Sequence, residues 1–320
     1  MIAAFAAVFL LWGSTYLAIK YAIETLPPFL MAGSRFLFAG TVLFLIATRT
    51  ADFEMPKAVH WRTSIIVGTL LLLIGNGGVV IAQHYISSSL AALLVATEPF
   101  WIVVLSWLWL KNSRPDRRVT LGLIVGFIGV AMLITGQPIE GGFLNGGFYQ
   151  WAGTFAVILA AFGWAVGSIY GLKAPVPKSA LLTAGMQMIS GGAALMIVSL
   201  IRGEWSSFDV AAVSSRSALA FVYLLVFGSL IGFTAYSWLL RNVRPSTVAT
   251  YAYVNPVVAV VLGWGIAGES MTGLMLAGAA IVLASVALVT GQNSSPADER
   301  LEEPELHHSA CGEPRYSTMS

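Results

Sequence analysis

Ser89-Leu90-Ala91-Ala92 leads to Thr97-Glu98-Pro99-Phe100 in one half of the chain, and Ser246-Thr247-Val248-Ala249 leads to Val254-Asn255-Pro256-Val257 in the other. Serine precedes proline by the same 10 positions in both, Ser89 to Pro99 and Ser246 to Pro256. The surrounding stretches, 82–136 and 239–291, are almost wholly apolar. They close on similar runs, Met132-Leu133-Ile134-Thr135-Gly136 and Ala287-Leu288-Val289-Thr290-Gly291. Each carries a proline inside a hydrophobic span with a polar residue just before it. Matched broken spans in two halves of a membrane bundle mark a transporter whose site lies between the repeats.

The composition fits that frame. The 320 residues are 57% hydrophobic and only 10% charged, against roughly 25% charged in soluble domains. A membrane span needs about 20 mostly apolar residues. Ten such spans are read at roughly 2–20, 29–47, 64–83, 88–110, 119–136, 151–171, 179–201, 218–240, 246–266 and 272–290. The first lacks a basic head and a cleavage site, so it reads as a retained helix rather than a signal peptide. The expected fold is all-α: a polytopic membrane protein of ten transmembrane helices in two five-helix repeats. The first repeat covers 1–136, an external linker 137–150, the second repeat 151–291, and a disordered cytoplasmic tail 292–320. The tail is rich in Ser, Pro and Glu and has little to bury. Its Cys311 is the sole cysteine, so no intrachain disulfide forms, and no metal site is expected at His307-His308 there.

Basic residues set the orientation, because Lys and Arg collect in short cytoplasmic loops. With the N-terminus inside, the inner loops hold Arg49, Lys57, Arg62, Lys111, Arg114, Arg117, Arg118, Lys173, Lys178, Arg241 and Arg244, and the tail adds Arg300 and Arg315. The outer segments hold Lys20, Arg202 and Arg216. Both termini are therefore expected in the cytoplasm. Five helices per repeat is an odd number, so the second repeat enters from the opposite face and the repeats are inverted.

Depth follows from a rise of 1.5 Å per residue. Glu98 lies ten residues into its span, about 15 Å deep, and Asn255 reaches a similar depth from the other face. Pro99 and Pro256 are the expected helix breaks, freeing the carbonyls of Val95 and Ala252. A freed carbonyl in hydrocarbon is costly unless it faces protein, water or ligand. A lone proline kink would be explained by packing; two matched ones beside polar residues favour a site lining. Glu98 is the acidic residue deep in a span, where an ionised carboxylate costs at least ~2.5 kcal/mol. It is thus protonated, paired or in a wet cavity. It is either a neutral hydrogen-bonding group between helices or a substrate or proton site, and it is the coupling candidate.

Trp12, Tyr16 and Lys20 share one face of the first span at i, i+4 and i+8. Trp164 occupies the corresponding place in the sixth, beside a ladder of Gly163, Gly167 and Gly171 that permits close helix approach. Arg35 lies about 9 Å below the outer end of the second span. It either snorkels outward, pairs with Glu98, or attracts a substrate carboxylate. Gln187 matches it through Ala32-Gly33 and Ala184-Gly185. The candidate substrate-binding set is Trp12, Tyr16, Lys20, Arg35, Asn76, Glu98, Trp101, Trp164, Tyr236, Tyr253 and Asn255, around a cavity lined by spans one, three, four, six, eight and nine. The Gly- and Ala-rich fifth and tenth spans are expected outside this core.

Trp12-Gly13-Ser14-Thr15, then Ala18-Ile19-Lys20, Pro27-Pro28, Arg35-Phe36 and Ala39-Gly40, resembles the opening of EamA-type proteins of the drug/metabolite transporter superfamily. The Ala-rich approach to Glu98-Pro99 and the Gly-rich span ending at Gly136 are similar too. The resemblance covers about 1–291. It implies ten helices, two inverted EamA repeats, multi-pass residence in a bacterial inner membrane and export of small metabolites such as amino acids. Enzyme motifs are absent from the sequence, and no cofactor, catalytic residue, metal or nucleic-acid partner is expected. The partners are a small-molecule substrate and the lipid bilayer; proton coupling and a homodimer are left open. The expected function is secondary export by alternating access. The alternatives are an uncoupled facilitator or exchanger, and, more remotely, an integral membrane enzyme.

Overall fold

The computed structural model describes residues 1–86, 88–110, 117–135, 148–267 and 272–290. Among the described residues every regular element is helical. In chain order the helices are α1 (Ile2–Ala22), α2 (Pro28–Ala47) and α3 (Ala58–Ala82), then α4 (Ser88–Val95), α5 (Glu98–Leu110) and α6 (Arg117–Thr135). There follow α7 (Phe148–Lys173), α8 (Ala180–Ile201) and α9 (Ser215–Asn242), then α10 (Pro245–Val248), α11 (Tyr251–Ala267) and α12 (Gly273–Thr290). Seven of these stretches are long and apolar enough to cross a membrane, counting Pro245–Ile266 as one. Their outward side chains, such as Phe38, Ile65, Ile197 and Leu219, are exposed. Such apolar exposure suits hydrocarbon rather than water.

Several sequence readings fall on residues outside this description: the tail at 292–320 with Arg300, His307, His308, Cys311 and Arg315, the loop residues Lys111 and Arg114, and Gly136. Most of the linker read at 137–150 is also outside it, although α7 already begins at Phe148.

Glycine decides which helices touch. α2 and α8 run antiparallel, and their glycines face one another in pairs. A Cβ on Gly40 would sit 2.8 Å from the Gly185 carbonyl, and one on Gly185 3.0 Å from the Gly40 carbonyl. Gly192 meets the Gly33 carbonyl at 3.1 Å in the same way. Small residues on both faces let the backbones approach where no solvent drives the helices together. α6 packs on α12 by the same device: Gly129 would meet Val282 and the Gly278 carbonyl. The ladder of α7 receives α3, with Gly163 against Ile74 and Gly167 against Leu70 and Leu71.

The first turn of α2 starts at Pro28 and leaves backbone donors without intrahelical partners. Glu204 satisfies two of them from a one-turn helix after α8: its Oε2 accepts from Leu30 N at 2.8 Å and its Oε1 from Phe29 N at 3.4 Å. Ser199 Oγ donates to the same carboxylate at 2.9 Å. An anion there also complements the positive end of the helix dipole.

Both proline-bearing spans are interrupted, at different distances from their prolines. α4 stops at Val95 and α5 starts at Glu98, so Pro99 occupies the second position of a new helix, where its missing donor costs least. Thr97 turns the chain, its N–H and hydroxyl both donating to the Leu94 carbonyl at 3.1 and 2.8 Å. In the second half the interruption is at Ala249-Thr250, ahead of α11, and Pro256 lies inside the helix that follows. Ala252 N donates to the Ala249 carbonyl and Tyr253 N to the Thr250 carbonyl, i→i+3 bonds that tighten the turn.

Candidate functional site

Three helices change winding where they pass the middle of the bundle. Ala7–Leu11 in α1, Thr69–Asn76 in α3 and Leu224–Phe233 in α9 are π-helical. Such wide turns appear mostly at functional sites, because they re-aim side chains that regular winding would misplace. The stretches of α3 and α9 border one cavity, and the α1 stretch ends just before its lining residue Trp12; the lining comes from α1, α2, α3, α4, α5, α7, α9 and α11.

Glycines bring the walls together. A Cβ on Gly13 would lie 2.6 Å from Val258 Cβ and 3.2 Å from the Asn255 carbonyl, so α11 packs directly on α1 and Asn255 reaches the cavity. A Cβ on Gly75 would lie 2.7 Å from the Trp164 ring, and one on Gly232 would overlap Trp12 Nε1. The aromatic wall that results is continuous. Trp12 meets Trp164 edge-on at 5.5 Å and Tyr251 edge-on at 5.1 Å, and tilts against Tyr236 at 5.1 Å. Its indole N–H donates to the Gly228 carbonyl at 3.0 Å, which is a carbonyl of the π-helical part of α9.

The polar groups sit around that wall. Glu98 is 1% exposed, and the Tyr251 hydroxyl lies 2.9 and 2.7 Å from its two carboxyl oxygens. Asn255 is equally buried; Tyr16 hydrogen-bonds with its side chain, while its Oδ1 has no partner. Arg35 is 2% exposed, so it does not snorkel. Its Nη2 donates to Asn76 Oδ1 at 3.0 Å rather than to Glu98, and its guanidinium lies 4.2 Å from the Phe36 ring centre. Its Nε has no partner.

Of the sequence-read candidates, Trp12, Tyr16, Arg35, Asn76, Glu98, Trp164 and Asn255 line the cavity. Tyr236 stands directly behind it, its hydroxyl bonded to Trp164 Nε1 at 2.9 Å and to Ser168 Oγ at 2.6 Å. Trp101 points elsewhere, edge-on to Phe162 at 5.2 Å and packed in a cluster with Ile102 and Ile169. Tyr253 faces Gly126 of α6. Lys20 is half-buried and is not in the lining. α2 joins the walls that the sequence assigned to other spans, and α6 and α12 contribute no lining residue. Tyr251 was missed, although it sits four positions before Asn255 and so on the same helix face.

A bundle of apolar helices around a small-molecule cavity with a buried carboxyl and a buried guanidinium defines a multi-pass membrane transporter. The EamA-like transporter family matches residues 1–135 and again 151–291, and the chain belongs to that family. It is accordingly a transporter of the inner membrane and not an enzyme. It is 36% identical over 286 residues to the uncharacterized inner membrane transporter YedA of Escherichia coli K12, covering 89% of this chain and 88% of YedA. It is 25% identical to a probable amino-acid metabolite efflux pump of Salmonella typhimurium, covering 87% of this chain and 91% of the pump. A solved structure described only as "Crystal structure of protein" shares the fold, with a TM-score of 0.71 at 19% identity, covering 94% of this chain and 98% of that one.

Proposed function

We propose that the protein is a secondary transporter that exports small amphiphilic metabolites, amino acids or their relatives, by alternating access. In this reading two inverted five-helix repeats, 1–136 and 151–291, make ten transmembrane helices with both termini cytoplasmic. The reciprocal glycine contacts of α2 with α8 support the inversion, because Gly33 and Gly185 stand at equal distances before Gly40 and Gly192. The family match falling once on each half supports the same division.

The observation that carries the substrate class is a pair of unsatisfied buried atoms on two residues that line the cavity. Arg35 Nε is a donor without an acceptor and Asn255 Oδ1 an acceptor without a donor. Buried polar groups are normally hydrogen-bonded, so unpaired ones point to a missing partner. A zwitterion supplies both: its carboxylate accepts from Arg35, and its ammonium donates to Asn255 and Glu98. Its apolar part then lies on Trp12, Trp164 and Phe36. The name of the Salmonella relative agrees with that chemistry. Glu98 is the coupling group in this reading, taking up and releasing a proton as the cavity changes sides.

Purified protein in liposomes, loaded with labelled amino acids one at a time and given a pH gradient of either sign, tests the function. Uphill flux that follows the gradient is expected. Downhill flux indifferent to it would replace export with the facilitator reading, and no flux for any amino acid would remove the substrate class.

A further inference from the structure

Behind Tyr236 lies a second cavity, lined from α3, α7, α8 and α9 and from Val176. Tyr236 and Ser168 line it, while Trp164, bonded to the same Tyr236 hydroxyl, lines the first. One tyrosine layer therefore divides the two spaces.

The two linings correspond in register. Thr15, Tyr16, Ile19 and Arg35 border the first cavity. Gly167, Ser168, Gly171 and Gln187 border the second, each 152 positions further on. Asn76 and Val79 border the first; Ser237 and Leu240 border the second, each 161 positions further on. Three helix pairs, α1 with α7, α2 with α8 and α3 with α9, thus turn the same positions toward different cavities. α2 and α8 are antiparallel, so this correspondence of positions runs in opposite directions along the bundle.

One substitution separates the mates. Where the first cavity has Arg35, the second has Gln187, which is 8% exposed. Its amide makes no hydrogen bond with any described residue and borders the cavity. At the same end Arg241 is held by the Pro177 carbonyl at 3.0 Å, Thr183 Oγ1 at 2.6 Å and the Lys178 carbonyl. Arg241 also lines the cavity, with Asp52 near enough to attract it.

We propose that this second cavity is a second binding site for the same carboxylate-bearing amphiphile, with Gln187 in the role that Arg35 has in the first. The site rests on the transport reading above. A primary amide donates through its NH₂, so it serves the carboxylate end without a charge. Val67, Leu71 and Leu172 supply the apolar wall. A neutral hydrogen bond is weaker than a charge-assisted one, so the Gln187 site binds less tightly than the Arg35 site. A molecule that leaves one site for the other crosses the Tyr236 layer.

Cysteine protection tests the proposal in the full-length protein in liposomes. Cys311→Ser removes the natural thiol. Thr15→Cys then reports the first cavity and Gly171→Cys the second, where the nearest heavy atom to a new Cβ is 3.6 Å away. A membrane-impermeant maleimide is applied to either face, with or without a millimolar mixture of the L-amino acids. Each cysteine is expected to react from the opposite face to the other, and the mixture to slow each by about threefold or more. Gln187→Leu should abolish protection of Gly171→Cys and leave that of Thr15→Cys. If Gln187→Leu loses both, Gln187→Glu decides, since it keeps the shape and repels a carboxylate; protection at Gly171→Cys alone must fall. Labelling of both cysteines from one face overturns the proposal. So does protection of Thr15→Cys alone, which leaves the transport reading intact. Protection that survives both Gln187 changes overturns it too. Protection of neither cysteine removes the amino-acid reading and the second site together.

Discussion

The Tyr251 hydroxyl lies within hydrogen-bonding distance of both carboxyl oxygens of Glu98, at 2.9 and 2.7 Å, across the interrupted starts of α5 and α11. No other described residue hydrogen-bonds this carboxyl. Tyr251→Phe would leave a buried carboxyl unsatisfied, a loss of about 1–3 kcal/mol. The expected outcome is a lower midpoint of thermal unfolding in detergent, together with reduced uphill transport. Unchanged stability would mean that water already serves Glu98 in the membrane.

Glu98→Gln separates coupling from structure. The amide keeps the shape and still accepts from Tyr251, but it cannot exchange a proton. Transport against a gradient should be lost while counterflow exchange of labelled substrate persists. Normal uphill transport by this variant would make Glu98 a structural group.

That the chain is all-helical and crosses a membrane several times could be read in the sequence because it depends on hydropathy alone. Trp12 and Trp164 could be placed by matching halves. What could not be read was rotation about each helix axis. Trp101 is three residues from Glu98 and was expected beside it, yet it packs toward Phe162 and away from the cavity. Tyr253 is two residues from Asn255, hence on the other side of α11, where it meets Gly126. The π-helical turns add further uncertainty, since each shifts the phase of every side chain beyond it. The interruption before α11 is likewise invisible if only Pro256 is read, because the turn falls at Ala249-Thr250.

Among the described residues, Arg35 carries the only guanidinium on the cavity lining. If it binds the substrate carboxylate, Arg35→Gln removes a charge-assisted bond of about 1.5–3 kcal/mol. The KM for an amino acid substrate should then rise by roughly ten- to a hundredfold. Arg35→Lys keeps the charge without the planar fork that also reaches Asn76, and should fall between the two. The check is a KM series for a zwitterion against its carboxamide: only the zwitterion should respond. Equal responses would assign Arg35 to holding Asn76 in place.

Gly232→Ala probes the aromatic wall from behind. Its new Cβ would lie 2.3 Å from Trp12 Nε1 and 2.8 Å from Cδ1, on the side where the indole reaches the Gly228 carbonyl. Trp12 must swing away, and because its ring touches Trp164, Tyr236 and Tyr251, the displacement passes to all three. Overpacking of this kind costs about 1–3 kcal/mol, a modest loss for a bundle of this size, so the protein should still fold. Transport should drop by about tenfold or more, because misplacement of positioning groups by an ångström has that scale of effect on a site. Gly273→Ala is the control: a Cβ there meets nothing within 4 Å, and a helix start gains a better helix former. Tryptophan fluorescence should shift for Gly232→Ala and stay constant for Gly273→Ala. If Gly232→Ala moves the fluorescence and leaves transport unchanged, Trp12 is packing and not part of the substrate wall.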